Sequence, residues 1–177
     1  MIDCIIGGRK DELISTRRIQ VAEWELYKRI RLAALLDAPY AFSSTYEDAC
    51  QRSDERWMEQ TESTASGADQ ATFIAFSGDE PIGMAALYRL EHQADAGELL
   101  QVWVAPALRG TRAARNLLDT LLAWAAENEF KNILATVSNE NTRAVQFYLH
   151  YGFAIRSAED EAADVTLVKE INTGMLP

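Results

Sequence analysis

The sequence predicts a mixed α/β domain, a central sheet of about six to seven strands flanked by four helices, and three observations carry that expectation. β-rich runs alternate with segments of helical period along the chain. One helix-length segment separates the strand ending at Val104 from the next near Ile133, so those two strands should lie parallel, joined by a crossover. The 177 residues are 48% apolar and 25% charged, enough for one real core and cramped for two, so a single domain over 1–177 is expected.

The elements follow in order. LISTRRIQ reads as a short first strand, and VAEWELYKRIRLAALLDAP places Trp24, Tyr27, Ile30 and Ala34 at helical spacing until Pro39 stops the pattern. From Ser43 to Gln70 the chain is polar, with seven acids against two arginines, and reads as one irregular helical region with Ser53 as a possible N-cap. ATFIAFSGDEPIGMAALYRL is a hairpin turning through Ser77, Gly78, Asp79, Glu80 and Pro81. GELLQVWVAP is a strand closed by Pro106. In the helix that follows, Ala114, Leu117, Leu118, Leu121, Leu122 and Ala125 make a continuous apolar stripe. KNILATVSN is a strand, NTRAVQFYLHYG a helix with Gly152 as its left-handed stop, and FAIRS with DVTLVKEI a closing strand pair.

Composition narrows the function. The 27 acids exceed the 17 bases by 10, a field that repels nucleic acid and anionic lipid over most of the surface. No run approaches the about 18 apolar residues of a spanning helix, and MIDCIIGGRKDEL has an acid where a signal peptide has its positive flank, so the cytoplasm is expected. GGRK lacks the phosphate-loop pattern. Cys4 and Cys50 have no paired spacing, and only His92 and His150 are present, so no metal site is expected and histidine-centred triads lack parts. Ligands of open α/β sheets gather at the carboxyl ends of parallel strands, which directs attention to the residues after Val104 and after Val137.

Between Pro106 and Leu117 the chain reads ALRGTRAARN and opens the best amphipathic helix. Its free amides and the cluster Arg109, Arg112 and Arg115 would suit a diphosphate; a merely basic helix start is the other reading. After Val137 the string Asn141-x-x-Ala144-x-x-Phe147-Tyr148-x-x-x-Gly152-Phe153 follows. Together these two segments resemble the GNAT superfamily of N-acetyltransferases, whose cofactor turn reads Gln/Arg-x-x-Gly-x-Gly/Ala. Here Arg109, Arg112 and Ala114 hold the three motif positions, with arginine where the first glycine stands, and Gly110 keeps the extra glycine common after the leading residue.

The resemblance covers about residues 98–155 and implies a strongly twisted sheet and acetyl-CoA as cofactor. It ascribes cofactor contact to Val102, Trp103 and Val104 on the strand, and to Arg109, Gly110, Thr111, Arg112, Ala113, Ala114 and Arg115 in the turn. From the later helix it adds Asn141, Ala144, Phe147 and Tyr148. The implied reaction is attack of a neutral amine on a thioester. Glu98 is the candidate base, burial bringing it toward the useful range, unless it is a strand-end glutamate in water. Tyr148 is the candidate acid for the leaving thiolate, or else a packed aromatic, and a bulge near Trp103 and Val104 would free an amide for the oxyanion.

The implied acceptor is a small-molecule or peptide amine. Glu47, Asp48, Asp54, Glu55, Glu159, Asp160, Glu161 and Asp164 would steer a cationic one, or simply keep the protein soluble. Two rivals stand beside the enzyme: a non-catalytic acyl-CoA-binding regulatory module on the same scaffold, and a homodimer joined through the apolar end INTGMLP. Monomer and homodimer are both open.

Overall fold

The structure, a computed structural model, describes residues 14–157 and 164–171. Among them seven strands form: β1 (Ile14–Arg18), β2 (Gln70–Ser77), β3 (Glu80–Leu90), β4 (Gln93–Val104), β5 (Asn132–Ser138), β6 (Ala154–Ser157) and β7 (Asp164–Glu170). The helices are α1 (Trp24–Asp37), α2 (Tyr46–Cys50), α3 (Asp54–Ala65), α4 (Ala113–Glu127) and α5 (Thr142–Tyr151). One mixed sheet runs in the order β1-β2-β3-β4-β5-β7-β6, with β4 and β5 parallel and the other neighbours antiparallel.

The continuous apolar run of β2 has a simple cause. Phe73 and Ala75 point to one face of the sheet and Ile74 and Phe76 to the other, and both faces are covered. On the first face lie Leu117, Leu118, Leu121 and Ala125 of α4, all fully buried as the stripe predicts. Burying each leucine contributes roughly 1.5–3 kcal/mol. On the second face Tyr27, Ile30 and Ala34 of α1 and Trp57 of α3 pack against Met84 and Trp103.

The region 43–70 forms two helices rather than one. Thr45 caps α2 by accepting from the Asp48 amide, and Ser53 caps α3 by accepting from the Arg56 amide, so two starts are written into one polar stretch. β4 begins at Gln93, earlier than GELLQVWV indicates, because β3 turns directly into it with Leu90 opposite Gln93. The β2–β3 hairpin turns on Gly78 and Asp79, and Gly152 ends α5 at φ 96° with its amide bonded to Leu149.

Two irregularities shape the centre of the sheet. β4 and β5 pair only through Ala96–Asn132, Gly97–Ile133 and Glu98–Leu134, and then part. From Leu99 onward the β5-facing edge of β4 has no strand partner among the described residues. β4 is also bulged: Ala86 opposes Leu100 and Met84 opposes Trp103, so Ala85 faces two residues, Gln101 and Val102. The bulge lies just before Trp103 and Val104, which both sit in the ladder against Met84 and Gly83. Gln101 takes φ 56°, and the hydroxyl of the fully buried Tyr27 donates to its side-chain Oε1 at 3.0 Å.

Candidate active site

Where β4 and β5 part, two cavities open. One, of about 480 Å³, lies between Val102–Val104, the turn from Leu108 to Thr111 and the α5 residues Ala144, Phe147 and Tyr148. The other, of about 610 Å³, lies between Glu98–Val102, Thr136–Ser138 of β5, and Arg31 of α1. Tyr40, Ala41, Phe42, Val102, Asn141, Ala144 and Tyr148 line both, so the two meet across the gap between the strands.

The first cavity ends on the turn before α4. Gly110 turns the chain at φ 83°, a left-handed conformation in which a side chain is strained, and the space beside it is open. Thr111 Oγ1 donates to the Leu108 carbonyl at 2.6 Å and accepts from the Ala113 amide at 3.3 Å, which brings the chain into the helix. The next amides, Ala114 and Arg115, have no backbone acceptor among the described residues, and Asn116 is the first to bond back, to the Arg112 carbonyl at 2.8 Å. The helix start therefore presents donors and the positive end of its dipole.

The arginines of this turn divide. Arg109 lines the cavity, but its Nε donates to the Val104 carbonyl at 3.1 Å and its guanidinium pairs with Asp37. Arg112 is the exposed N-cap residue, and exposed Arg115 lies over the Tyr151 ring at 5.5 Å. Ala113 is fully buried under the helix; these last three do not line the cavity, whereas Gly110, Thr111 and Ala114 do.

On α5, Asn141 is the N-cap: its Oδ1 accepts from the Ala144 amide at 3.2 Å, and its amide nitrogen has no partner among the described residues. Tyr148 is buried between Phe147 and Phe153, with ring centroids 5.4 and 5.2 Å away in edge contacts. Its hydroxyl bonds to no described residue. Burial pushes its pKa well above the ordinary phenol value. Glu98, half-buried, occupies the last paired position between β4 and β5 and lines the second cavity.

Several lining residues escape the sequence reading. Tyr40 to Phe42, at a single 3-10 turn, line both cavities, and Asp37 ties Arg109 to Trp103. Arg31 is buried, and its signal was available, since it lies four residues after Tyr27 and three before Ala34 on the same helix face. Of the acids expected near the acceptor, Asp164 lines the second cavity. Asp54 pairs with Lys28, Asp48 belongs to the Thr45 cap, and Glu159, Asp160 and Glu161 lie outside the described residues, as do GGRK and 172–177 of INTGMLP. His150 is exposed on α5, its Nδ1 2.7 Å from the Gln146 carbonyl. No helix among the described residues is long and apolar enough to cross a membrane.

Comparison with known proteins agrees with this fold. Similar solved structures include a GNAT-family acetyltransferase from Streptococcus pneumoniae, 20% identical, with TM-score 0.74 over 90% of this chain and 99% of that one. The PaiA N-acetyltransferase of Thermoplasma acidophilum, solved in complex with coenzyme A, is 19% identical, with TM-score 0.72 over 89% and 99%. YncA of Salmonella typhimurium, solved with its cofactor acetyl-CoA, is 14% identical, with TM-score 0.73 over 93% and 97%. At these identities the likeness establishes the fold. No curated protein matches the sequence. The profile of the Acetyltransferase (GNAT) family matches residues 29–153, well over half of the chain, and the protein belongs to that family.

Proposed function

We propose that this protein is an acyl-CoA-dependent N-acetyltransferase that moves the acetyl group of acetyl-CoA to a primary amine of a small molecule or peptide. The observation that carries the reading is the parting of β4 from β5 after Glu98. It opens an unpaired strand edge whose gap runs from the bare amides of α4 to Tyr148 and Glu98. The residues present fit the donor. The amides of Ala114 and Arg115 would hold the diphosphate, and the free edge of β4 at Val102–Val104 and the amide nitrogen of Asn141 would bond the pantetheine arm. Ala144 and Phe147 would pack on it. Arg112 and Arg115, both exposed, would act on the phosphates through charge rather than as cavity walls.

Acetyl-CoA, when bound, supplies an acetyl thioester. An alkyl ammonium of pKa about 10.4 is neutral in only about one molecule in a few thousand at pH 7, so Glu98, directly or through water, takes its proton. The freed nitrogen would be placed to form the new C–N bond. An amide of the bulged segment Gln101–Val102 donates to the carbonyl oxygen as charge builds there. As the C–S bond breaks, Tyr148 would give its phenolic proton to the leaving sulfur, and the second proton that the acylated nitrogen must shed would return through water to the tyrosine oxygen. The hydroxyl is protonated at neutral pH, as an ordinary phenol is, and Tyr148 stands at the wall of both cavities.

Calorimetry with coenzyme A and release of free thiol from acetyl-CoA over a panel of amines test the proposal. Heat on titration together with amine-dependent thiol release is expected. Binding without release for any amine would instead favour the regulatory module, the reading to which arginine in a motif glycine position inclines. No heat at millimolar coenzyme A overturns both.

A further inference from the structure

The second cavity contains a charge that no described part of the protein neutralises. Arg31 is only 6% exposed, yet it forms no hydrogen bond or ion pair with any described residue, and its buried Nη1 has no acceptor. Elsewhere the fold takes care of partly buried guanidinium groups: Arg17 pairs with Glu23, Arg89 with Asp69, Arg109 with Asp37, and Arg18 donates to four backbone carbonyls. The more deeply buried Arg31 has only the Phe42 ring, 4.4 Å from its guanidinium carbon. A ring face attracts the charge but offers no acceptor atom to five N–H donors. Burial lowers the Arg31 pKa from its ordinary value, and the titratable groups that act on it are Tyr27, Tyr88 and Arg52, with no aspartate or glutamate among them.

Such a site awaits an anion. Arg31 is the one cationic side chain among the described residues that line this cavity, which matches the single charge of a carboxylate and repels a second ammonium. Carboxylates of the protein line the same cavity at Glu98 and Asp164, neither of them bonded to Arg31. The two signs suit a ligand that carries both.

We infer that the acceptor is a primary amine that also bears a carboxylate, such as an α-amino acid, with the carboxylate paired to Arg31 and the amine turned toward Glu98. This rests on the acetyltransferase reading and deepens it.

The test compares thiol release from acetyl-CoA with the standard α-amino acids, their carboxamides, aminoalkylphosphonates and linear diamines. For at least one side chain, the amino acid should exceed its own carboxamide about tenfold or more in kcat/KM. In Arg31→Gln that ratio should collapse toward one through a rise in KM for the acid, and Arg31→Lys should restore part of it. Retained heat on titrating coenzyme A reports that each variant is folded. Equal use of acid and carboxamide, preference for diamines or phosphonates, or an unchanged ratio in Arg31→Gln overturns the inference while leaving acetyl transfer standing. Coenzyme A binding with no amine acetylated overturns acetyl transfer, and the inference with it.

Discussion

The indole Nε1 of Trp103 donates to Asp37 Oδ2 at 2.8 Å, joining the bulged strand to the last residue of α1. The same oxygen takes the Arg109 guanidinium, which also donates to the Val104 carbonyl. One carboxylate thus ties the end of α1 to β4 and to the turn before α4, two walls of the first cavity.

Asp37→Ala should therefore lower stability by about 1–3 kcal/mol, chiefly by leaving a buried indole N–H without a partner, and should weaken coenzyme A binding. Asp37→Asn keeps an acceptor and should lose less. Urea unfolding and calorimetry on the two variants check this; equal stability of wild type and Asp37→Ala would remove the clasp from the account.

Tyr148→Phe should cut turnover by about a hundredfold or more, the range for a lost general acid, and leave the affinity for coenzyme A nearly as it was. Because the hydroxyl bonds to no described residue, the melting temperature should hardly move. Turnover at the wild-type rate would take the acid role away from Tyr148.

Asn141 has two separable duties. Asn141→Ala should lose the α5 cap, about 1 kcal/mol, and weaken coenzyme A binding. Asn141→Asp retains an oxygen for the Ala144 amide but no amide nitrogen, so its stability should stay near wild type while binding still weakens. Parallel losses of stability and affinity in both variants would mean that the cap is all Asn141 provides.

Burial raises the pKa of Tyr27 and of Tyr148. Above about pH 10 the unfolded chain releases these protons while the folded chain keeps them, so the unfolded state binds fewer and stability falls as pH rises. Each tyrosine should contribute up to about 1.4 kcal/mol per pH unit in that window. Urea midpoints between pH 9 and 11 measure the slope, and a double Tyr27→Phe, Tyr148→Phe variant should flatten it.

Much of the fold was legible because its signals are local. The α4 stripe, the Pro39 stop, the Gly152 cap and the turn at Gly78 each specify an element within a few residues, and the crossover between β4 and β5 makes them parallel. The polar stretch 43–70 was less legible, since its two caps lie eight residues apart, at Thr45 and Ser53, with no apolar period to separate them. At the site, the spacing from Asn141 to Phe153 marked α5, but Arg109 read as a phosphate ligand while its guanidinium serves Asp37, 72 residues away in sequence.

By itself, then, the sequence determined most of the strands and helices and their order along the chain. Tertiary structure alone decided where β4 leaves β5, that the bulge falls at Gln101 and Val102, and that Arg31 is enclosed beside Phe42 without a counter-charge. Helical period and turn chemistry act over a few residues and can be read along the chain. Gln101 of the bulge takes a hydrogen bond from Tyr27, 74 residues distant, and a buried charge that no described residue pairs with exists only once the neighbouring elements have packed.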